Sequence, residues 1–353
     1  MHVLQLGPYP PPEGGITRNL LAIREELQKS GHTCSVVVIA KSSKVVPDPG
    51  IYHPQSPFAL IKLLSTLHYD ILHLHIGGDI TWRILGLMTV CALFGRGKSV
   101  VTVHSGGFAV SENANNAKPF SLHGFVFRLF ERVICVNKLM FAVFEKYGLA
   151  RERVRLIYPF AGRKPDKGVQ IPDNLKVFAV NHKPFLLTVG LLEDAYDLFM
   201  QIDAMERIIE QMPEAGLMIA GSGSLEQDLK RAIADKAFFS HILLAGDVEH
   251  SITLHLINDC DILLRTTKFD GDAISIREAL HLGTPVIATD NGMRPEGVHL
   301  IPVHDANALV EATVKLAKSE QKACGERVED RSNIEAVLYL YEEILKRCPS
   351  RLR

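Results

Sequence analysis

An α/β fold of two Rossmann-like halves, with parallel sheets facing across a cleft, is what this sequence predicts. Strand-like and helix-like runs alternate almost throughout the 353 residues, the pattern of parallel sheets with right-handed crossovers. The strand-like runs are continuously apolar, as a sheet covered on both faces requires. Between residues 162 and 184 the composition turns to Lys, Pro, Asp and Gly with weak periodicity, so the alternation breaks into two series joined by an interdomain linker.

The first series opens at 2–6, where MHVLQLG has neither a basic start nor a cleavage site and reads as a strand rather than a signal peptide. Strands follow at 34–39, 71–75, 99–103 and 132–136, with helices between them at 17–30, 58–67, 81–93, 123–130 and 138–147. The most apolar stretch, 84–94, is too short to span a bilayer and fits a buried helix. The second series places strands at 185–189, 216–220, 242–245, 262–264 and 286–288, and helices at 197–211, 225–236, 252–259 and 275–282. Helix 275–282 stops at Gly283, and Thr284-Pro285 leads into the next strand. Final helices occupy 306–319 and 333–346; in the latter, Val337, Leu338, Leu340, Tyr341 and Ile344 make one packed face.

The length suits two domains of ordinary size. Hydrophobic content of 47% with 22% charged residues marks a soluble globular protein with a large core. A formal net charge of −1 argues against a nucleic-acid partner, which calls for a basic stripe or excess. Six scattered cysteines (Cys34, Cys91, Cys135, Cys260, Cys324, Cys348) form no C-x-x-C pair and read as buried reduced thiols of a cytosolic protein.

Ligands of open parallel sheets bind beyond the carboxyl ends of the strands. Three loops there carry polar residues. Gly14 and Gly15 precede the first helix, where side-chain-free amides can approach an anion or a sugar; a rigid Pro-Gly turn is the plain alternative. His104 sits at the tip of strand 99–103 before Gly106-Gly107 and can offer a ring nitrogen to a hydroxyl, although a lone histidine is more often structural. His73 fits sheet packing, and His75 lies nearer the ligand end. The third loop is the most informative. Asp270-Gly271-Asp272-Ala273-Ile274 opens a helix that carries Glu278, so its amides and dipole suit a phosphate and Glu278 can clasp two hydroxyls of a ribose. An acidic helix cap with a solvated Glu278 is the bland alternative. Asp270-Gly271-Asp272 has the form of a D-x-D metal site, but its place at a helix start favours an amide seat over a metal.

With Asp270 and Glu278 separated by seven residues and followed by Ala279-Leu280, Gly283 and Pro285-Val286-Ile287-Ala288, the chain resembles glycosyltransferase family 4, retaining enzymes of the GT-B fold. The resemblance covers nearly the whole chain and implies several things. Residues 1–165 would be the N-terminal domain on the acceptor side, 184–330 the donor-side domain, and 331–353 a helix crossing back to the first. Glu278 would bind the donor ribose and Asp270 the transferred sugar. The amides of Asp272, Ala273 and Ile274, beside Gly271, would hold the diphosphate or sugar. Val248 would meet the base through its backbone, His104 the sugar's C6 hydroxyl, and Gly15, next to Gly14, the diphosphate. Two departures stand out. Asp270 is one methylene shorter than the family's Glu, and Gly190-Leu191-Leu192-Glu193-Asp194-Ala195-Tyr196-Asp197 lacks the Arg and Lys the family places there. Each missing charge-assisted contact is worth about 1.5–3 kcal/mol. Arg265, at a strand tip, is the first candidate to replace them, with Arg18 and Arg294 behind it.

The expectation is a metal-independent, hexosyltransferase-like retaining enzyme with no cofactor, taking a nucleotide sugar as donor and a glycan or lipid-linked acceptor in polysaccharide or glycoconjugate synthesis. Its setting would be cytoplasmic, with a peripheral encounter at the inner membrane face left open. A GT-B sugar-nucleotide epimerase and a non-catalytic sugar-nucleotide-binding subunit are the alternatives. A dinucleotide oxidoreductase fits less well, because the first loop lacks G-x-G-x-x-G and no acidic residue ends the second strand.

Overall fold

Six consecutive buried residues, Ile71–Ile76, show a strand covered on both faces. The computed structural model describes residues 1–10, 14–39, 48–105, 107–158, 162, 164–268, 273–292, 294–319 and 332–346. The chain folds into two compact units, 1–160 with 331–353 and 161–330.

Unit 1 contains β1 (His2–Gly7), α1 (Gly15–Lys29), β2 (Thr33–Val38), β3 (Ile51–Tyr52), α2 (Pro57–Thr66), β4 (Ile71–Ile76), α3 (Trp82–Phe94), β5 (Lys98–Val103), α4 (Glu112–Asn115), α5 (Leu122–Arg128), β6 (Arg132–Cys135), α6 (Leu139–Lys146) and β7 (Val154–Leu156). The strands pair in parallel in the order β3-β2-β1-β4-β5-β6-β7. Side-chain alternation splits the core into two layers. Leu4, Leu6, Leu72, Leu74 and Val101 face one cluster, while Val3, Ile71 and Val100 face another. Local signals set the helix starts: Ser56 accepts from the Ala59 amide at 3.1 Å, and Pro57 follows it.

Unit 2 holds α7 (Asp173–Asn181), β8 (Phe185–Val189), α8 (Leu198–Gln211), β9 (Gly216–Ala220), α9 (Glu226–Ala234), β10 (Ile242–Gly246), α10 (His250–Asp259), β11 (Ile262–Arg265), α11 (Ile274–Leu282), β12 (Val286–Thr289), β13 (His299–Ile301) and α12 (Ala306–Lys318). Its parallel order is β10-β9-β8-β11-β12-β13. Gly283 ends α11 at φ +75°, a left-handed conformation that glycine adopts without strain.

One sequence expectation is corrected here. The proposed linker contains α7, whose Leu175 and Phe178 pack into the unit 2 core. Val177 and Val180 on the same short helix are exposed, and they blur the apolar period that would have announced it. The edge strands β3, β7 and β13, two or three residues each, were also unread, being too short to carry a pattern. Cys34, Cys91, Cys135 and Cys260 are buried thiols outside any disulfide; Cys324 and Cys348 lie outside the described residues.

The last helix, α13 (Ser332–Lys346), packs on α1 within unit 1 and buries Ile334, Val337, Leu340, Tyr341 and Ile344. Polar contacts fix its register as well. Tyr341 Oη lies 2.5 Å from His73 Nδ1, and Glu343 accepts from Arg132 and Arg155, each at 3.2 Å.

Candidate functional site

At the carboxyl edge of unit 2, β11 ends at Arg265 and α11 begins at Ile274, capped by Ala273 in an extended conformation. The intervening Asp270, Gly271 and Asp272 lie outside the described residues. Glu278, one turn into α11, is only 5% exposed. Its Oε1 accepts from His250 Nε2 at 2.6 Å. His250 opens α10, two residues beyond Val248, whose carbonyl accepts from Thr253 Oγ1 at 3.3 Å. The β10–α10 loop carrying Val248 is thus tied to Glu278 through His250. Sequence reasoning did not find His250, because 28 residues separate it from its partner and nothing local marks it.

The loop after β8 is held by its own contacts. Glu193 accepts from the Ser224 amide and hydroxyl at 2.8 and 2.6 Å, and these bonds hold its carboxyl below the usual range. Asp194 pairs with Lys268 at 2.7 Å. A Cβ at Gly190 would overlap the Tyr196 ring, so only glycine fits there. Asp197, at φ +53°, accepts from His304 Nδ1 at 2.8 Å. Arg265 stands at the strand tip as expected, yet it is 8% exposed. Its guanidinium lies 4.6 Å from the centre of the Tyr196 ring and donates to Val189 O at 2.8 Å. Arg294 donates to Thr289 O at 3.0 Å and to Thr267 Oγ1 at 2.6 Å, which sets a second guanidinium at the ends of β11 and β12. Arg18 belongs to α1 in unit 1, and its amide bonds Gly14 O.

In unit 1, Gly14 caps α1 from an extended conformation, and a Cβ there would meet nothing within 4 Å. Neither strain nor packing requires glycine at this position, and the exposed amide of Gly15 follows it. His104 follows β5, with its Nε2 3.1 Å from His75 Nδ1; His75 Nε2 lies 2.9 Å from Gln5 Oε1. His73, fully buried on the same face of β4, contacts Thr102 Oγ1 at 2.7 Å and lies 4.0 Å from His75 between ring centres, the rings tilted by 35°. Burial pushes His73 down to about 3 and His104 to about 4. It also pushes His75 well below its usual value, helped by His73 and His104.

Residues 13–161 match the family described as Glycosyltransferase Family 4, and residues 183–319 match Glycosyl transferases group 1. The chain belongs to these family 4-type glycosyltransferases and has their GT-B fold of two Rossmann-like domains. It is 29% identical over 160 residues to the amylovoran biosynthesis glycosyltransferase AmsK of Erwinia amylovora, covering 42% of this chain and 39% of AmsK. Over 147 residues it is 26% identical to a GDP-mannose-dependent monoacylated alpha-(1-6)-phosphatidylinositol monomannoside mannosyltransferase of Corynebacterium glutamicum, covering 38% of each. The chain thus spans about two fifths of the length of these curated relatives. Among solved structures, Alr3699/HepE of Anabaena with UDP superposes at a TM-score of 0.67 with 17% identity, covering 98% of this chain and 97% of that one. Starch synthase IV of Arabidopsis thaliana, bound to ADP and acarbose, gives 0.68 at 13% identity over 98% and 99% of the two chains.

Proposed function

We propose that the chain transfers a sugar from a nucleoside diphosphate to an acceptor hydroxyl in glycan assembly, with retained anomeric configuration and without a metal. The observation that carries this is Glu278, a buried carboxylate with one donor from His250, on the helix whose first amides belong to Ala273 and Ile274. Those amides and the α11 dipole suit a diphosphate, and the carboxylate suits ribose hydroxyls. Val248 would border the base, and Asp270 the transferred sugar. Arg265 and Arg294, both anchored at the sheet's edge, would supply positive field in place of the family's Arg and Lys. The bond from the sugar's anomeric carbon to the diphosphate breaks as one to the acceptor oxygen forms on the same face. A leaving phosphate oxygen takes the acceptor proton, so the protein positions groups and stabilises charge. The relatives' names support glycan assembly.

A panel of UDP, GDP, ADP and their sugars tests the reading. One base should raise the thermal midpoint by mass action, and its sugar should release nucleotide in the presence of acceptor and chelator with the anomer retained. Chelator-sensitive turnover would remove the metal-free clause, and an inverted product would remove retention. The acidic loop Glu193–Asp197 keeps a second reading alive, a non-catalytic binder; binding without any turnover would establish it. Epimerisation of the donor would instead mark the GT-B epimerase.

The acceptor side fits a lipid-linked substrate at an anionic membrane. Phe58, Trp82 and Phe120 are 83%, 78% and 99% exposed, at or beside the starts of α2, α3 and α5 on the carboxyl edge of the unit 1 sheet. Exposed Lys62, Arg83 and Lys118 lie near them in sequence, against acidic Asp79. Aromatic rings with basic neighbours favour an anionic bilayer surface. No helix among the described residues is long and apolar enough to cross a membrane. Vesicles containing anionic lipid should sediment the protein, and changing Phe58, Trp82 and Phe120 together to Ser should release it. Equal sedimentation of both proteins would rule the surface out.

A further inference from the structure

Glu278 and His250 belong to different helices of unit 2, and packing fixes those helices against each other. Leu256 and Ile257 of α10 share a buried cluster with Ile276 and Ala279 of α11. Just past α11, Thr284 Oγ1 donates to Ile257 O at 2.7 Å. His250, the first residue of α10, is thereby held against Glu278, one turn into α11. An ionised carboxylate only accepts, so His250 Nε2 carries the hydrogen of the 2.6 Å bond to Oε1. The two side chains are 13% and 6% exposed, so water reaches the pair poorly. A carboxylate offers about four acceptor sites, and this one fills a single site among the described residues. A buried polar pair is a weak source of stability, because apolar side chains of similar volume often serve as well. A role in orientation accounts better for a histidine brought to this carboxylate from a second helix.

We infer that His250 is a positioning residue for Glu278. Its bond to Oε1 holds the carboxylate in one orientation before a ligand arrives, and the open acceptor sites then take ribose hydroxyls without ordering the side chain anew. This rests on the proposed function, which supplies the ribose; the bond itself belongs to the free protein. Two consequences separate it from a contact that only supports the fold. Loss of His250 should weaken ligands that use the carboxylate and spare those without hydroxyls. A side chain that returns an N–H to the same place should restore the parent behaviour.

Calorimetry on the full chain with UDP, GDP, ADP and their 2′,3′-dideoxy counterparts tests both. The base that binds should do so at least tenfold more tightly as the ribonucleotide, because a site built for hydroxyls rejects a ligand that lacks them. In His250→Leu the ribonucleotide should weaken at least fivefold and the dideoxynucleotide less than twofold. His250→Gln, whose amide nitrogen reaches about as far as imidazole Nε2, should return the preference to within twofold of the parent. His250→Asn is too short to reach Oε1 and should behave as the Leu variant, which keeps the test open if that variant does not fold. Equal weakening of both nucleotides, an unchanged preference in the Leu and Asn variants, or no recovery with Gln overturns the positioning role and leaves the nucleotide site standing. Equal binding of the two nucleotides by the parent protein overturns it as well. Failure of every ribonucleotide to bind the parent protein strikes the proposed function, and the positioning role falls with it.

Discussion

Glu278→Ala is expected to lower kcat/KM for the nucleotide sugar by about 10²–10⁴-fold, since two charge-assisted bonds to ribose hydroxyls are worth roughly 1.5–3 kcal/mol each. The prediction follows from where the carboxylate sits. A side chain 5% exposed, with His250 as its one donor among the described residues, has lost most of its hydration for one bond there. Such a group is poorly explained by stability alone, and hydroxyls of a bound pentose would complete it. The free variant should therefore melt no lower than the parent protein, while the stabilisation by nucleotide disappears. If Glu278 grips substrate and transition state alike, the loss appears in KM; if the grip tightens only during transfer, it appears in kcat. Steady-state kinetics with the donor identified by thermal shift decide the matter, and unchanged turnover removes Glu278 from the site.

Much of the architecture was legible because the chain repeats one local grammar. Continuous runs such as Ile71–Ile76 and Gly216–Ala220 need no tertiary knowledge to read as covered parallel strands, and the tips of two other strands, β5 and β11, locate His104 and Arg265. What stayed hidden depends on distance along the chain or on weak local pattern. Tyr341 reaches His73 across 268 residues and His250 reaches Glu278 across 28, and no spacing rule connects such pairs. Arg265 shows the opposite limit. Its place at a strand tip was readable, but its ring stack with Tyr196 and bond to Val189 were not. The same Tyr196 stands in the loop where the family's cation was missed, so a departure in sequence becomes a packed ring beside Gly190. Helix α7 was lost because its exposed valines disguise which face is buried.

Acidification from pH 6.5 to 5 is expected to destabilise the free protein steeply. In an unfolded chain the three rings of His73, His75 and His104 titrate near the ordinary value of about 6.5. In the native state burial holds His73 near 3 and His104 near 4, with His75 also well below the ordinary value. Between these limits the unfolded state binds more protons than the folded one, so stability rises with pH and is lost as pH falls below the unfolded value. Near pH 5 unfolding takes up almost three protons, a slope of about 4 kcal/mol per pH unit from these rings. Most carboxylates titrate lower, which leaves pH 5–6.5 as the window in which the histidines dominate. Urea unfolding at several pH values measures the slope, and His104→Gln should reduce it by about a third. A flat profile across that window would show that the rings are not held neutral. Because His104 gains its proton mainly by unfolding, about nine in ten folded molecules keep its ring neutral at pH 5.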